Sequence, residues 1–139
     1  MGFALPGAIA ASLVHPDRNI LAISGDGGFM MNVQEMETAH RLNCKLTVMV
    51  WEDGGYGLIA WKQSNEFKKH TDLSFTNPDW LQLASAFNWH GHRVNNSADL
   101  KNTLAQALAE DGPSLVVIPI DYRENMALTE RLGEMTCPI

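Results

Sequence analysis

The chain has 139 residues, of which 45% are hydrophobic and 19% are charged, and its net charge is −6. This much apolar sequence is enough for one domain with a buried core, and it argues against a disordered protein. The negative charge and the scattered basic residues argue against a nucleic-acid surface, because phosphate backbones are bound by clustered Lys and Arg.

Short apolar runs alternate along the chain with segments of helical spacing, as in a parallel α/β protein. In chain order we predict helix 8–14, strand 19–24, helix 32–42, strand 46–51, helix 56–67, a helix opened by Asn77-Pro78-Asp79, edge strand 92–94, a helix capped by Ser97, strand 114–120 and helix 122–132. This order predicts one α/β domain spanning residues 1–139, a three-layer sandwich with a mostly parallel sheet and helices on both faces.

Several element boundaries are predicted from local signals. Asn32 followed by Glu35 resembles a capping box at a helix start. Pro78 fits the first position of a helix, and Ser97 fits an N-cap. Strand 19–24 is apolar and stopped by glycine, as a buried parallel strand would be.

Nothing in the sequence indicates a membrane or a secreted protein. No apolar run approaches the roughly 20 residues of a membrane span. The first six residues lack the basic flank and cleavage site of a signal peptide. Cys44 and Cys137 have no metal or redox spacing and are interpreted as incidental thiols. We therefore expect a cytoplasmic protein.

Two predicted strands end in acidic, glycine-rich turns, at residues 24–28 (SGDGG) and 52–55 (EDGG). Ligands of parallel sheets bind beyond the C-terminal ends of the strands. Asp26 and Asp53 at neighbouring strand ends would suit a Mg²⁺ ion bound to a diphosphate, because Mg²⁺ takes one or two carboxylates together with phosphate oxygens. A helix starting near Asn32 would point its positive end at that phosphate. Two ordinary turns are the alternative interpretation, because Asp-Gly is common in turns.

Other glycine-loop chemistries fit less well. A dinucleotide-binding GxGxxG would need a third glycine where Met30 stands. A phosphotransfer domain with Asp26 as acceptor would need a lysine and a hydroxyl residue after later strands, and neither follows 46–51 or 114–120. His90 and His92 lack a third metal ligand and are interpreted as surface residues. Glu52 and Asp53 are adjacent in a strand, so their side chains should point to opposite faces.

Three segments resemble thiamine-diphosphate enzymes. Residues 25–36 (GDGGFMMNVQEM) resemble the GDG-opening motif that binds Mg²⁺ and diphosphate in this family. Asp53 stands slightly under thirty residues beyond Asp26, where the family has its second ligand, usually Asn and sometimes Asp. The opening residues 2–8 (GFALPGA) resemble a glycine-rich stretch of this family, and the closing residues 118–125 (IPIDYREN) resemble the close of catabolic-type, FAD-independent acetolactate synthases.

The resemblance implies a set of site residues. Asp26 and Asp53 would bind Mg²⁺ through their carboxylates, and Gly55 would bind it through its carbonyl oxygen. The remaining cofactor-binding residues would allow close approach of the diphosphate; they are Gly25, Gly27, Gly28 and Tyr56.

The resemblance also implies partners. In this family the cofactor-activating glutamate lies in a separate pyrimidine-binding domain of a partner subunit. We therefore expect a fragment of a larger homo-oligomeric enzyme that is inactive alone. No catalytic residue is predicted within the fragment, although Lys62 stands where acetolactate synthases usually have Gln or Trp near the substrate.

The substrate is less closely defined than the cofactor. Two molecules of pyruvate, giving 2-acetolactate and CO₂, are the leading prediction. Alternatives are relatives of glyoxylate carboligase, benzoylformate decarboxylase or sulfoacetaldehyde acetyltransferase, and a non-catalytic thiamine-diphosphate-binding module.

Overall fold

A computed structural model describes residues 1–122. Four parallel strands form one sheet in the order β1-β2-β4-β3. The strands are β1 (Ile20–Gly25), β2 (Leu46–Glu52), β3 (His90–Arg93) and β4 (Ser114–Pro119). The helices are α1 (Ala4–Val14), α2 (Asp26–Met30), α3 (Glu35–Arg41), α4 (Gly57–Phe67), α5 (Trp80–Ala86) and α6 (Leu100–Ala109). A 3₁₀ turn, Ser97–Asp99, leads into α6.

Helices cover both faces of the sheet, which confirms the predicted α/β architecture. On one face, α1, α3 and α5 pack with alternate side chains of the central strands. On the other face, α6 contributes Ala107, Leu100 and Leu104 to a smaller apolar cluster that contains Met49 and Val116. The first five residues of β2 and of β4 are all buried, as expected for strands covered on both faces.

β1 is not the fully buried strand that its apolar sequence suggested. It forms an edge of the sheet, and its residues alternate between partial burial and exposure. Leu21 and Ile23 are 41% and 50% exposed in the described part of the chain. Their register partners Thr47 and Met49 lie on the α6 face, but α6 packs against the other three strands. The bare face is therefore a consequence of strand order, which composition does not reveal.

Three predicted helix starts are wrong by a few residues. The helix predicted from Asn32 begins at Glu35, and the Asn32 side chain instead donates a hydrogen bond to the carbonyl of Gly2. A separate short helix, α2, begins at Asp26 itself. Because no helix starts at Asn32, the predicted contribution of its positive end to phosphate binding does not apply.

The other two starts differ because a neighbouring side chain supplies the cap. Asp79 caps α5 and accepts hydrogen bonds from the N–H groups of Leu81 and Gln82, both at 3.0 Å. Pro78 therefore precedes the helix. Asn96, and not Ser97, accepts the N–H of Ala98 at the start of the 3₁₀ turn.

The start of the first helix also differs from the prediction. α1 begins at Ala4, four residues earlier than predicted, because Pro6 lies within the first turn, where its missing N–H costs nothing. The helix predicted at 122–132 lies outside the described residues, as does Cys137. Within residues 1–122, no helix combines the length and apolar character needed to cross a bilayer.

Candidate functional site

The C-terminal ends of β1 and β2 lie side by side. Gly25 pairs in register with Trp51, so Asp26 follows one strand where Glu52 and Asp53 follow the other. The residue that follows β4 lies at the same C-terminal end of the sheet, because the N–H of Ile120 donates to the carbonyl of Glu52 at 2.9 Å. Parallel pairing alone therefore places the two predicted metal ligands together at the C-terminal end of the sheet.

Asp26 is buried, with 1% of its surface exposed, and its carboxylate is surrounded by donors. Oδ1 accepts the N–H of Gly27 at 2.7 Å. Oδ2 accepts the N–H of Asp53 at 3.1 Å, the N–H of Gly54 at 2.8 Å and the Nδ2 of Asn77 at 2.7 Å. A buried carboxylate is tolerated when it is hydrogen-bonded in this way. These contacts fix the side chain in one orientation.

Asp53 lies within hydrogen-bonding reach of the Asp26 side chain but is much more exposed. Its pKa is raised, first by partial burial and then by the negative charge of Asp26, while the N–H of Gly55 acts in the opposite direction. A β-carbon added to Gly57 would lie 2.9 Å from Asp53 Oδ2, so glycine is needed beside this carboxylate. Two carboxylates this close repel each other unless a proton or a cation lies between them.

The loop that carries Asp53 is attached to a distant segment of the chain. The carbonyl of Gly54, a residue with φ of +69°, accepts the N–H of Phe75 at 2.9 Å. The N–H of Tyr56 donates to the carbonyl of Leu73 at 3.1 Å. Gly55 forms an antiparallel bridge with Ser74. The loop backbone is therefore braced from residues 73–75.

The predicted glycines have different surroundings. A β-carbon on Gly27 would lie 2.8 Å from Tyr56 Cε1 and 3.1 Å from Phe75 Cζ, whose rings pack with centroids 5.1 Å apart. Gly27 is thus required by these two aromatic rings. A β-carbon on Gly28 would meet Ser24 Oγ at 3.1 Å, whereas one on Gly25 would meet no atom within 4 Å. Space for a ligand backbone contact is therefore clearest at Gly25.

Sequence reasoning missed two residues at this edge. Asn77 was interpreted only as part of a helix start, and its place beside Asp26 depends on a contact across 51 residues of sequence. The pKa of Tyr122 is raised by burial and then by the charges of Asp53 and Asp26, which places its ring near both carboxylates. The family-like closing segment that contains Tyr122 was the available signal for the second residue.

Lys62 and Glu52 differ in their surroundings. Lys62 is exposed on α4, a helix of 11 residues none of which is buried. Glu52 accepts the indole N–H of Trp80 at 2.6 Å and pairs with Arg93 at 2.5 Å, so it has its own partners and does not pair with Asp53.

The two histidines of β3 share one carboxylate. His90 and His92 each lie 3.5 Å from Glu110. Within residues 1–122, no group of three or more His, Cys, Asp or Glu side chains is arranged to bind a metal ion. His90 is exposed, whereas His92 is half-buried, so only His90 agrees with the interpretation of the pair as surface residues.

Oxygen ligands dominate the edge where Asp26 and Asp53 meet, and they fit a hard divalent cation. Two carboxylates approach each other there. The amide oxygen of Asn77 is buried and has no hydrogen-bond partner among residues 1–122. Two carboxylates supply too few ligands for the six-coordinate shell of Mg²⁺, so the fit requires oxygens from a ligand such as a diphosphate and from water.

Comparison with known proteins agrees with this chemistry. The family described as "Thiamine pyrophosphate enzyme, C-terminal TPP binding domain" matches residues 1–118. The chain is 39% identical over 132 residues to the catabolic acetolactate synthase of Raoultella terrigena, covering 95% of this chain and 24% of that protein. It is 37% identical over 128 residues to the acetolactate synthase of Bacillus subtilis, covering 92% of this chain and 22% of that protein.

A solved structure supports the fold. The thiamine diphosphate-dependent 4-hydroxybenzoylformate decarboxylase of Rhodococcus jostii RHA1 superposes with a TM-score of 0.82 at 26% identity, covering 89% of this chain and 24% of that chain. The chain thus spans about a quarter of the length of the relatives it matches. These findings confirm both the predicted family and thiamine diphosphate as its cofactor. The chain belongs to the C-terminal thiamine pyrophosphate-binding domains of thiamine pyrophosphate enzymes.

Proposed function

We propose that Asp26, Asp53 and the carbonyl oxygen of Gly55 bind a Mg²⁺ ion that anchors the diphosphate of thiamine diphosphate. The observation that carries this proposal is the meeting of the two carboxylates at the ends of β1 and β2, where partial burial and then the charge of Asp26 raise the pKa of Asp53. A divalent cation between them would remove the repulsion and replace the proton.

The glycines and Tyr56 shape the same site. Gly25 has open space beside its α-carbon and is the position where a phosphate oxygen can come closest to the backbone. Tyr56 packs with Phe75 against Gly27 and would so support the turn that contacts the diphosphate. Gly28 continues this turn beside Ser24. In this arrangement the protein supplies position and charge compensation, and none of these residues transfers a proton.

The full-length protein is proposed to be a 2-oxo-acid carboligase of the acetolactate synthase type, converting two pyruvate molecules into 2-acetolactate and CO₂. Its support is the 37–39% identity to acetolactate synthases over more than nine-tenths of the chain. The bound cofactor supplies the electron sink for decarboxylation. A pyrimidine-binding domain of a partner subunit completes the site in a homo-oligomer, and we place the enzyme in the cytoplasm.

Titration of the full-length protein tests the site and the reaction in turn. Calorimetry with thiamine diphosphate should show tight binding that requires Mg²⁺, and a screen of 2-oxo acids should then show 2-acetolactate from pyruvate. The purified 139-residue chain should form no 2-acetolactate. Cofactor binding that is indifferent to Mg²⁺ would contradict the proposed site, whereas binding without pyruvate turnover would contradict only the substrate.

A simple 2-oxo-acid decarboxylase is a second candidate, because the chain superposes closely on the 4-hydroxybenzoylformate decarboxylase. Lys62 stands where acetolactate synthases usually have Gln or Trp, and this departure would allow a 2-oxo acid other than pyruvate. The two reactions differ in their products. A decarboxylase releases an aldehyde, whereas the carboligase joins the remaining fragment to a second carbonyl compound, so product analysis with pyruvate and benzoylformate separates them.

A further inference from the structure

We propose that Asn77 is a positioning residue of the metal site, which orients Asp26 through its amide nitrogen and accepts a hydrogen bond from the hydration shell of the cation through its amide oxygen. This inference rests on the proposed function. Its evidence is the hydrogen bonding of the Asn77 amide group. Nδ2 donates to Asp26 Oδ2 at 2.7 Å, whereas Oδ1 is buried and has no partner in the described part of the chain.

The orientation of the Asn77 amide follows from the chemistry of its neighbour. An ionised carboxylate can only accept hydrogen bonds, so the amide group must present its nitrogen to Asp26. This leaves the oxygen as a buried acceptor. An unsatisfied buried acceptor is destabilising, and such groups commonly mark the place of a water or an ion.

The position of Asn77 is set by packing that does not involve a metal. Asp79, two residues later, caps α5. Trp80 is 2% exposed, packs edge-on against Phe29 with ring centroids 5.8 Å apart, and donates its indole N–H to Glu52. These contacts tie the start of α5 to both α2 and β2. The amide group is therefore in place before a cation binds.

A hydrated cation gives the orphaned oxygen a partner. Mg²⁺ usually keeps several water ligands, and those waters are strong donors. Residues that orient metal ligands typically contribute about 10–100-fold to metal affinity. A purely structural asparagine would not leave half of its amide group unsatisfied beside two converging carboxylates.

The stability of the cofactor-free protein separates the two interpretations. If Asn77 is removed, Asp26 Oδ2 still accepts the N–H groups of Asp53 and Gly54, so the buried carboxylate stays satisfied. The unsatisfied oxygen disappears at the same time. Asn77→Leu, which has nearly the same volume, should therefore leave the thermal midpoint of the cofactor-free protein unchanged or raised.

The experiment uses the full-length protein with saturating thiamine diphosphate, and Mn²⁺ as a paramagnetic probe detected by electron paramagnetic resonance. Asn77→Leu should bind Mn²⁺ about 10–100-fold more weakly than the wild type. Asn102→Leu, an exposed asparagine on α6, is the matched control and should leave the affinity unchanged. Asn77→Ala provides a second variant with a smaller side chain and the same expected direction.

Three outcomes would overturn the proposal: equal Mn²⁺ affinity in Asn77→Leu and wild type, a lower cofactor-free midpoint with unchanged affinity, or failure of both Asn77 variants to fold. Failure of the wild-type protein to bind Mn²⁺ with thiamine diphosphate would instead contradict the proposed function. The two failures are thus distinguished by the wild-type titration.

Discussion

The two carboxylates at the sheet edge differ in how they are built. Asp26, at the end of β1, is buried and accepts four hydrogen bonds, three of them on one oxygen. Asp53, at the end of β2, is exposed, and its pKa is raised by partial burial and by Asp26. The carboxylate of Asp26 is thus part of the packed structure, while that of Asp53 lies at its surface. We infer that Asp26 organises the site and that Asp53 responds to what binds there.

Removal of Asp26 should have the largest effect and tests the organising role directly. In Asp26→Ala, the N–H groups of Asp53 and Gly54 and the amide of Asn77 lose their common acceptor. A buried donor left without its acceptor costs about 1–3 kcal/mol. Denaturant unfolding of the cofactor-free, full-length protein should show this loss, together with loss of Mg²⁺ binding.

Asp17→Ala is the control for this experiment, because Asp17 is exposed before β1. It should change the stability by less than about 0.5 kcal/mol. Similar losses in the two variants would show that the burial of Asp26 is not what stabilises this end of β1.

Gly25 and Gly27, at the C-terminal end of β1, should differ in their effect on stability. Gly27→Ala should destabilise the protein by about 1–3 kcal/mol, because the new methyl group would overlap the rings of Tyr56 and Phe75. Gly25→Ala meets open space at an ordinary φ of −68° and should leave stability unchanged or slightly improved. Thermal midpoints of the two variants provide the measurement.

Cofactor affinity should depend on Gly25, the glycine whose substitution leaves stability unchanged. Gly25→Ala should weaken the binding of thiamine diphosphate with Mg²⁺ although its fold is intact. Unchanged cofactor affinity in a fully folded Gly25→Ala protein would remove Gly25 from the proposed diphosphate site.

Asp53→Asn should weaken Mg²⁺ binding without destabilising the cofactor-free protein. Because the folded protein raises the pKa of Asp53, it retains that proton to a higher pH than the unfolded chain does. The free energy of unfolding therefore falls as the pH rises from 3.8, the ordinary value, through the raised pKa, and the penalty persists at neutral pH. An asparagine side chain cannot ionise, so the variant should be slightly more stable at pH 7, by less than about 1 kcal/mol because the group is exposed.

Unfolding measured across this pH range, without metal or cofactor, provides the test. The wild-type and Asp53→Asn curves should converge at acidic pH and separate as the pH rises. A variant that is less stable than the wild type at pH 7 would show that Asp53, like Asp26, belongs to the packed structure.

Lys62 should give the smallest effect on stability. Because no residue of α4 is buried, Lys62→Gln should change the free energy of unfolding by less than about 0.5 kcal/mol and leave Mg²⁺ affinity unaltered. If Lys62 faces the substrate, kcat/KM for 2-oxo acids will change, and Lys69→Gln, at another exposed position, will not reproduce the change. Identical kinetics in both variants would make Lys62 an ordinary surface residue.

The sequence predicted the strands better than the helix starts. β2 and β4 were predicted within one residue, because apolar runs covered on both faces contrast sharply with their flanks. The starts at Pro78 and Ser97 were wrong because capping depends on which nearby side chain reaches an N–H. The start at Asn32 was wrong because its side chain donates to the carbonyl of Gly2, and α3 begins without a side-chain cap.

The site, like the fold, was predicted only in part. The pairing of Asp26 with Asp53 was predictable, since acidic turns after adjacent parallel strands must meet at one edge of the sheet. Local sequence determined the turns, the buried strands and the two carboxylates that follow β1 and β2. Only the tertiary structure placed β1 at an edge, brought Asn77 to Asp26 and left Asp53 exposed, because each depends on contacts between segments far apart in the chain.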